Sequence, residues 1–352
     1  MNTYRSFNID ETQNLLHNLF SEPSGEFKEL LPNLIGQSYE VLRESFLFCA
    51  KQNYPTPSHE LQAIYKNIGK IGFIGAGTVP ITPFYEILRA VLFSAKIECL
   101  FSSAYSSGFY EYFHERLPES YKKHIKFSSS LKEDCTGLES FIESCDLLVC
   151  HGSDETVVNL QKIALNKKIK FLGYGHKLSF AVSEVSQLDC AGIIKDLTAF
   201  NQLGCMSPQV LYLMGTSGDD LVKVAESLKN ELIKNKIYLP PWLSYEKKLF
   251  SERNLIGKNN RLFGDSILVS PESEFEYSCG GRFLWLKPLG KLSDLPSLQK
   301  VSLNRVACIG SSLSQLENEE LREMFAETRI IEIGKMQLPP LDYLQPPTHC
   351  SL

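Results

Sequence analysis

The amino-acid sequence predicts an α/β protein of two lobes, each with a mostly parallel sheet flanked by helices. Three observations lead there. The chain has 352 residues, more than the ~100–200 of an ordinary domain, so two cores are expected. From Lys70 onward, short apolar runs alternate with amphipathic segments, the pattern of successive strand–helix–strand units. Between Pro83 and Ser94, Phe84, Ile87, Leu88, Val91 and Leu92 recur at three- and four-residue spacing, giving one apolar helix face that suits a sheet.

The elements follow in order. Residues 1–68 read as a helical segment: Asp10 can cap a helix carrying Leu15, Leu16, Leu19 and Phe20, and residues 39–48 form a second. A first lobe over 69–178 takes strands at 71–74, 97–101, 124–127, 146–150 and 169–172. A second lobe over 179–328 begins with a helix over 188–202. Next come a strand at 210–214, a helix over Leu221, Val224, Leu228 and Leu232, and strands near 266–269 and 283–286. Residues 239–242 and 254–263 read as loops from their proline, glycine and polar content. Residues 329–352 close the chain.

Composition excludes several classes. The chain is 43% hydrophobic and 22% charged with a net charge of -5, so it lacks the basic field that a nucleic acid requires. No apolar stretch approaches the ~20 residues of a membrane span, and no basic segment followed by an apolar run opens the chain, so a cytoplasmic location is expected. The ten cysteines contain no CxxC pair. They are therefore expected to be reduced thiols with no metal site, and Cys99, Cys145, Cys150 and Cys308, in or beside apolar runs, are expected in the core.

Four stretches carry candidate chemistry. After an apolar strand, Gly75 and Gly77 begin a dinucleotide-binding fingerprint, but Pro80 stands where its third glycine belongs, and a tight strand-to-helix turn is equally consistent. In Cys150-His151-Gly152-Ser153-Asp154-Glu155 a strand ends at a turn that opens a helix. Its N–H groups and Ser153 can cradle a phosphate, or Ser153 or Asp154 simply caps the helix. In Gly173-Tyr174-Gly175-His176-Lys177 two glycines allow a ligand to approach the backbone, and Lys177 can support a charge, although His176 and Lys177 also read as solvated residues. In Phe200-Asn201-Gln202-Leu203-Gly204-Cys205-Met206-Ser207-Pro208-Gln209 the cysteine sits on a turn at a helix end, where an activatable thiol belongs.

Taken in order, Gly152-Ser153-Asp154-Glu155, then Gly175-His176-Lys177-x-Ser179-Phe180, then the Cys205 stretch resemble the LuxC-type acyl-CoA reductases of the aldehyde dehydrogenase superfamily. The resemblance runs from Ile71 to Gly334 and includes Glu332-Ile333-Gly334-Lys335-Met336. It implies an aldehyde dehydrogenase-like fold with an NAD(P)-binding lobe, a catalytic lobe, a C-terminal segment that returns to the first lobe, and an active site in the cleft.

The resemblance also implies roles. Cys205 is the nucleophile. Gly152, Ser153, Thr78, Gly173, Gly175 and Lys177 bind NADPH, with NADH possible. Thr78 replaces the family's oxyanion-binding Asn, and Phe101 replaces a Lys that binds the cofactor ribose. Gly173 replaces the deacylating Glu, so the acyl-enzyme should wait for hydride and release an aldehyde. His176 is a candidate for tuning the thiol. The expected partners are an acyl-CoA or acyl-carrier protein, a second copy of the chain, or an acyl-transferring or synthetase subunit. The alternatives are a non-redox thioester-binding or scaffold protein and a cysteine thioesterase.

Overall fold

The computed structural model describes residues 58–351 apart from 76–78, 80–81, 102–106, 130–134, 236–238, 257, 296–304 and 341–342, together with residues 14, 17, 43 and 47. The two helices expected before residue 58, but for those four residues, and Thr78 with most of its loop lie outside the described residues. The chain divides into two compact units, one of Met1–His176 with Pro340–Leu352 and one of Lys177–Pro339.

In the first unit a short helix, α1 (His59–Tyr65), precedes β1 (Lys70–Gly75), α2 (Thr82–Leu92), β2 (Lys96–Phe101), α3 (Ser107–Arg116) and β3 (Ile125–Ser129). Then follow α4 (Cys135–Glu143), β4 (Leu147–His151), α5 (Asp154–Asn166) and β5 (Lys170–Tyr174). The sheet order is C-terminal strand, β5, β4, β1, β2, β3. All pairs are parallel except that the strand His349–Ser351 runs antiparallel to β5. Helices cover such a sheet, so its central strands are apolar throughout: Leu147, Leu148, Val149 and Cys150 are all buried. Phe101, at the end of β2, lies flat on Tyr110 with ring centroids 4.0 Å apart and is buried. The ring is a packing residue of the core.

The second unit contains β6 (Leu178–Glu184), α6 (Cys190–Thr198), β7 (Pro208–Met214), α7 (Gly218–Lys234), α8 (Pro241–Leu255), β8 (Arg261–Phe263) and β9 (Ile267–Val269). It continues with β10 (Leu284–Leu289), β11 (Val306–Ser311), α9 (Gln315–Met324) and β12 (Arg329–Glu332). The sheet order is β12, β11, β6, β7, β10, β9, β8, parallel except for the β8–β9 pair. Ser217 and Ser314 start α7 and α9 with reciprocal side-chain to backbone caps to Asp220 and Glu317. The fold class therefore matches the expectation.

Several boundaries differ from the sequence reading, for physical reasons. Residues 241–242 are helical, because Pro241 occupies the first helical position, where its missing N–H costs nothing. Of the supposed loop 254–263, residues 254–255 end α8 and 261–263 form β8, with 256 and 258–260 as connection among the described residues. β6, β11 and β12 were not expected as strands: β6 and β11 are buried on both faces, and a parallel interior strand shows no alternation to read. Because β12 pairs with β11, the return to the first unit begins at Pro340 rather than 329, and the first unit ends at His176, one residue before Lys177.

A buried polar cluster ties the first unit together. The Tyr65 hydroxyl donates to Glu86 at 2.6 Å, Glu86 pairs with Arg89 one turn along α2, and Arg89 donates to the Tyr343 carbonyl at 2.9 Å. The chain's last segment is thereby fastened to α2. Beside this cluster the His151 ring stacks on Tyr174 at 4.5 Å, and burial, with Arg89 adding, pushes its imidazole down to about 3.

Two predictions follow from this cluster. Arg89→Met leaves the Glu86 carboxylate buried without its cation and should lower the unfolding free energy by about 3–5 kcal/mol, measured by denaturant titration. The second concerns acid: the unfolded chain protonates His151 near its ordinary value of 6.5, and the folded chain only near 3. Stability is therefore full above that window and falls as pH drops through it. The loss should be on the order of 2 kcal/mol, since the ring is partly exposed and screened. Urea unfolding at a series of acidic pH values should show this slope, and His151→Phe should flatten it.

Candidate active site

The Cys205 loop begins with an unusual turn. α6 ends at Thr198, whose hydroxyl donates back to the Ile194 carbonyl at 2.8 Å, and not at residue 202 as the sequence suggested. The next residues turn left-handed: φ is 52° at Phe200, 51° at Asn201 and 61° at Gln202. Each such turn costs an L-residue ~1–2 kcal/mol, so three in succession persist only where the surroundings over-determine them.

The surroundings here are a second left-handed run, with φ of 75° at Gly280, 67° at Gly281 and 64° at Arg282. The two runs clasp each other. Gly281 N–H donates to the Asn201 carbonyl at 3.0 Å, and the Arg282 guanidinium donates to the Asn201 side-chain oxygen, its Nε at 3.1 Å. The Gln202 amide uses its full capacity: its nitrogen donates to the Pro208 and Phe283 carbonyls at 2.8 and 2.7 Å, and its oxygen accepts from Phe283 N–H and the Ser278 hydroxyl at 2.7 and 3.3 Å. Gln209 accepts from Ser278 N–H at 3.1 Å. Asn201, Gln202 and Arg282 are all buried. The conspicuous polar residues of the Cys205 stretch are thus scaffold.

Cys205 itself is exposed, on a turn closed by Ser207 N–H donating to the Gly204 carbonyl at 3.0 Å. Its own carbonyl accepts from the Ser179 hydroxyl of β6 at 2.8 Å. Ser207 accepts from Gln337 at 3.1 Å, which joins the loop to the turn after β12. That turn is fixed on Asp196 of α6, whose carboxylate accepts from Gly334 and Met336 N–H at 2.6 and 3.0 Å, while burial pushes its pKa up to about 7.

Lys177 also belongs to this unit. It immediately precedes β6 and is only 3% exposed. Burial pushes its ammonium down to about 8, with Arg305 adding to the shift and Cys205 and Glu327 opposing it. Cys308, expected and found in the core, is pushed up to about 12 by burial. Cys99, Cys145 and Cys150 are likewise buried.

The remaining candidates gather in the first unit at the carboxyl ends of β4 and β5. Gly152 N–H donates to the Tyr174 carbonyl at 3.2 Å, and Ser153 caps α5 by accepting from Thr156 N–H at 3.2 Å. Asp154 and Glu155 occupy the first turn of α5. Asp154 accepts from His176 N–H at 2.7 Å, and a Cβ on Gly175 would lie 2.2 Å from its carboxylate. A Cβ on Gly173 would lie 2.4 Å from Val157. The space beside these two glycines is therefore taken by the chain's own side chains. His176 is exposed and belongs to the first unit, and Lys177 to the second.

Sequence reading missed Ser278, Gly280, Gly281 and Arg282. The signal was the Gly280-Gly281 doublet followed by Arg282, but nothing local showed that it meets Asn201, some eighty positions earlier. Among the described residues no group of three or more His, Cys, Asp or Glu is placed to hold a metal ion, and no helix is long and apolar enough to cross a membrane.

Gln202→Leu leaves the Phe283 N–H and the Pro208 carbonyl without their buried partner and removes one of the two donors to the Phe283 carbonyl, which keeps the Ser278 hydroxyl at 2.6 Å. It should lower the unfolding free energy by about 2–4 kcal/mol, read by denaturant titration, with Gln202→Glu recovering only part because a carboxylate cannot donate to those carbonyls.

Comparison with known proteins places the architecture. A family model for acyl-CoA reductase (LuxC) matches residues 62–338. Among solved structures, methylmalonate-semialdehyde dehydrogenase (DddC) from Oceanimonas doudoroffii superposes with a TM-score of 0.68 at 12% identity, covering 96% of this chain and 79% of that one. An aldehyde dehydrogenase from Bartonella henselae gives 0.67 at 11% identity, covering 96% and 80%. The NAD+ complex of an aldehyde dehydrogenase from Bacillus cereus gives 0.65 at 10% identity, covering 94% and 76%. No curated protein matches significantly by sequence. The chain belongs to the acyl-CoA reductase (LuxC) family, oxidoreductases acting on acyl or aldehyde groups, and has the aldehyde dehydrogenase fold.

Proposed function

We propose that this protein reduces an acyl thioester, carried by coenzyme A or a carrier protein, to an aldehyde through an acyl-enzyme on Cys205. The observation that carries the reading is the position of Cys205: exposed, on a loop whose preceding turn is held in a costly conformation by the buried, fully paired Gln202 amide and the Asn201–Arg282 contact. Strain retained by a dedicated scaffold is the pattern of a functional loop.

The Cys205 thiolate attacks the thioester carbonyl, and the oxyanion is assigned to the Cys205 backbone N–H and the Thr78 hydroxyl. The incoming and departing thiols have similar basicity, so acyl exchange is close to balanced. A carboxylate to activate water is absent at Gly173, where a side chain would collide with Val157. This disfavours hydrolysis.

A nicotinamide cofactor, when bound, supplies the hydride; NADPH is the expected form and NADH the alternative. The residues assigned to hold it are Thr78, Gly152 and Ser153, while Gly173 and Gly175, whose flanking space Val157 and Asp154 fill, leave that set. Gly152 and Ser153 fit best, lying at the carboxyl ends of parallel strands at the start of α5 and reaching the surface there. Asp154 and Glu155 oppose an anion at the same helix start, but the Asp154 carboxylate is turned onto His176 N–H. Cys205 leaves as thiolate when the aldehyde departs. The location assigned to this reaction is the cytoplasm, with a second copy or an acyl-transferring or synthetase subunit as partner.

A second reading, a thioester-binding protein without the hydride step, draws on Phe101, which packs on Tyr110 where many relatives place a cofactor-binding Lys. One experiment separates the two. Incubation with a panel of acyl-CoAs and NADPH should consume NADPH and yield aldehyde, and mass spectrometry should find the acyl group on the Cys205 peptide. Cys205→Ser should abolish both signals. Acylation without NADPH or NADH oxidation selects the binding protein, free acid without oxidation selects a thioesterase, and unimpaired turnover in Cys205→Ser overturns the assignment.

A further inference from the structure

The second sheet places four polar side chains in a row that its topology dictates. β12, β11, β6 and β7 are consecutive parallel neighbours. Cys308 of β11 stands opposite both Ser179 of β6 and Arg329 of β12, and Ser179 stands opposite Pro208 of β7. Stepping back along each strand from these partners leads to Glu327 before β12, Arg305 before β11, Lys177 before β6 and Cys205 before β7. All four precede their strands at the amino-terminal edge of the sheet, where neighbouring strands run about 4.8 Å apart.

Within this row Lys177 and Cys205 are adjacent. The Ser179 hydroxyl, two residues after Lys177, holds the Cys205 carbonyl at 2.8 Å and so fixes the start of β6 to the cysteine turn. Lys177 is 3% exposed and Cys205 is exposed, so of the two the cation is the buried member and the thiol the open one. The other groups bearing on the pair are Arg305, Glu327 and Cys308, and Arg329 and Asp196 act on Cys308.

We infer that Lys177 is the charge partner of Cys205, sharing one proton with it so that the pair rests as ammonium and thiolate. In forming this state the S–H bond of Cys205 breaks and an N–H bond forms on the Lys177 amine, and nothing is oxidised or reduced. The same ammonium can return its proton to the departing substrate thiolate, and a solvent proton then restores it. A buried amine with depressed basicity, near 8, suits this exchange, because its basicity lies close to that of an ordinary thiol. Arg305, a second cation beyond Lys177, further favours the thiolate, and Glu327 offsets part of that field. The role rests on the proposed part of Cys205 in thioester attack, and it takes Lys177 from the cofactor set to the nucleophile.

The test is the pH profile of iodoacetamide alkylation of the full chain, without substrate, read by mass spectrometry on the Cys205 peptide with the exposed Cys350 as internal comparison. In the wild type the Cys205 midpoint should lie below the ordinary thiol value of about 8.5. Lys177→Met should raise that midpoint by about one unit or more and slow alkylation at neutral pH about tenfold, leaving Cys350 unchanged. Lys177→Arg should keep the low midpoint but lose turnover, since a guanidinium does not give up its proton.

A natively folded Lys177→Met protein whose Cys205 profile superimposes on the wild type overturns the inference. So does a wild-type midpoint at or above the ordinary value, which requires no variant to fold. Because alkylation needs neither cofactor nor thioester, failure here is distinct from failure of the reductase reading, which the acyl-CoA assay reports.

Discussion

The Gln202 amide holds together three pieces of the second unit: the turn after α6, the start of β7 and the entry to β10. Its four hydrogen bonds leave no polar capacity unused, and they are made in a buried setting where an unmet partner is costly. The left-handed turn at Phe200 to Gln202 exists only because this amide and the Asn201–Arg282 contact fix it. The position of Cys205, three residues further on, is a consequence of that clasp.

The clasp also explains a division of labour among the residues around the cysteine. Asn201, Gln202, Ser207 and Gln209 are the polar residues that make the stretch recognisable, and all four bond to other parts of the fold. The proposed chemistry falls to the exposed Cys205 and the groups at the same sheet edge. The turn after β12 completes the frame, since Asp196 binds its N–H groups and Gln337 reaches back to Ser207. Disturbing any one of these contacts should be felt at the thiol.

The first unit solves a different problem. Its parallel sheet needs an edge, and the strand His349–Ser351 supplies it antiparallel to β5, fastened by the Arg89 contact to Tyr343 and by Thr348, which donates its N–H to the Gly173 carbonyl and its hydroxyl to the same atom. Gly173 and Gly175 are glycines because Val157 and Asp154 fill the space a side chain would need. The sequence reading gave that space to a ligand. Close packing between α5 and β5 is the local physical reason for both residues.

Periodicity and turn residues alone indicated that the chain alternates strands with helices and that Cys99, Cys145, Cys150 and Cys308 are core residues while Cys205 is not, and length indicated two cores. These are properties of neighbours along the chain, where apolar spacing and turn residues act directly. Only the tertiary structure decided that β6, β11 and β12 are strands, because strands enclosed on both faces carry no alternation. It alone decided that Gly280 to Arg282 grip Asn201 and Gln202, and that Lys177 lines up beside Cys205. Those relations join residues tens of positions apart, and they arise from strand order and register, which no local pattern encodes.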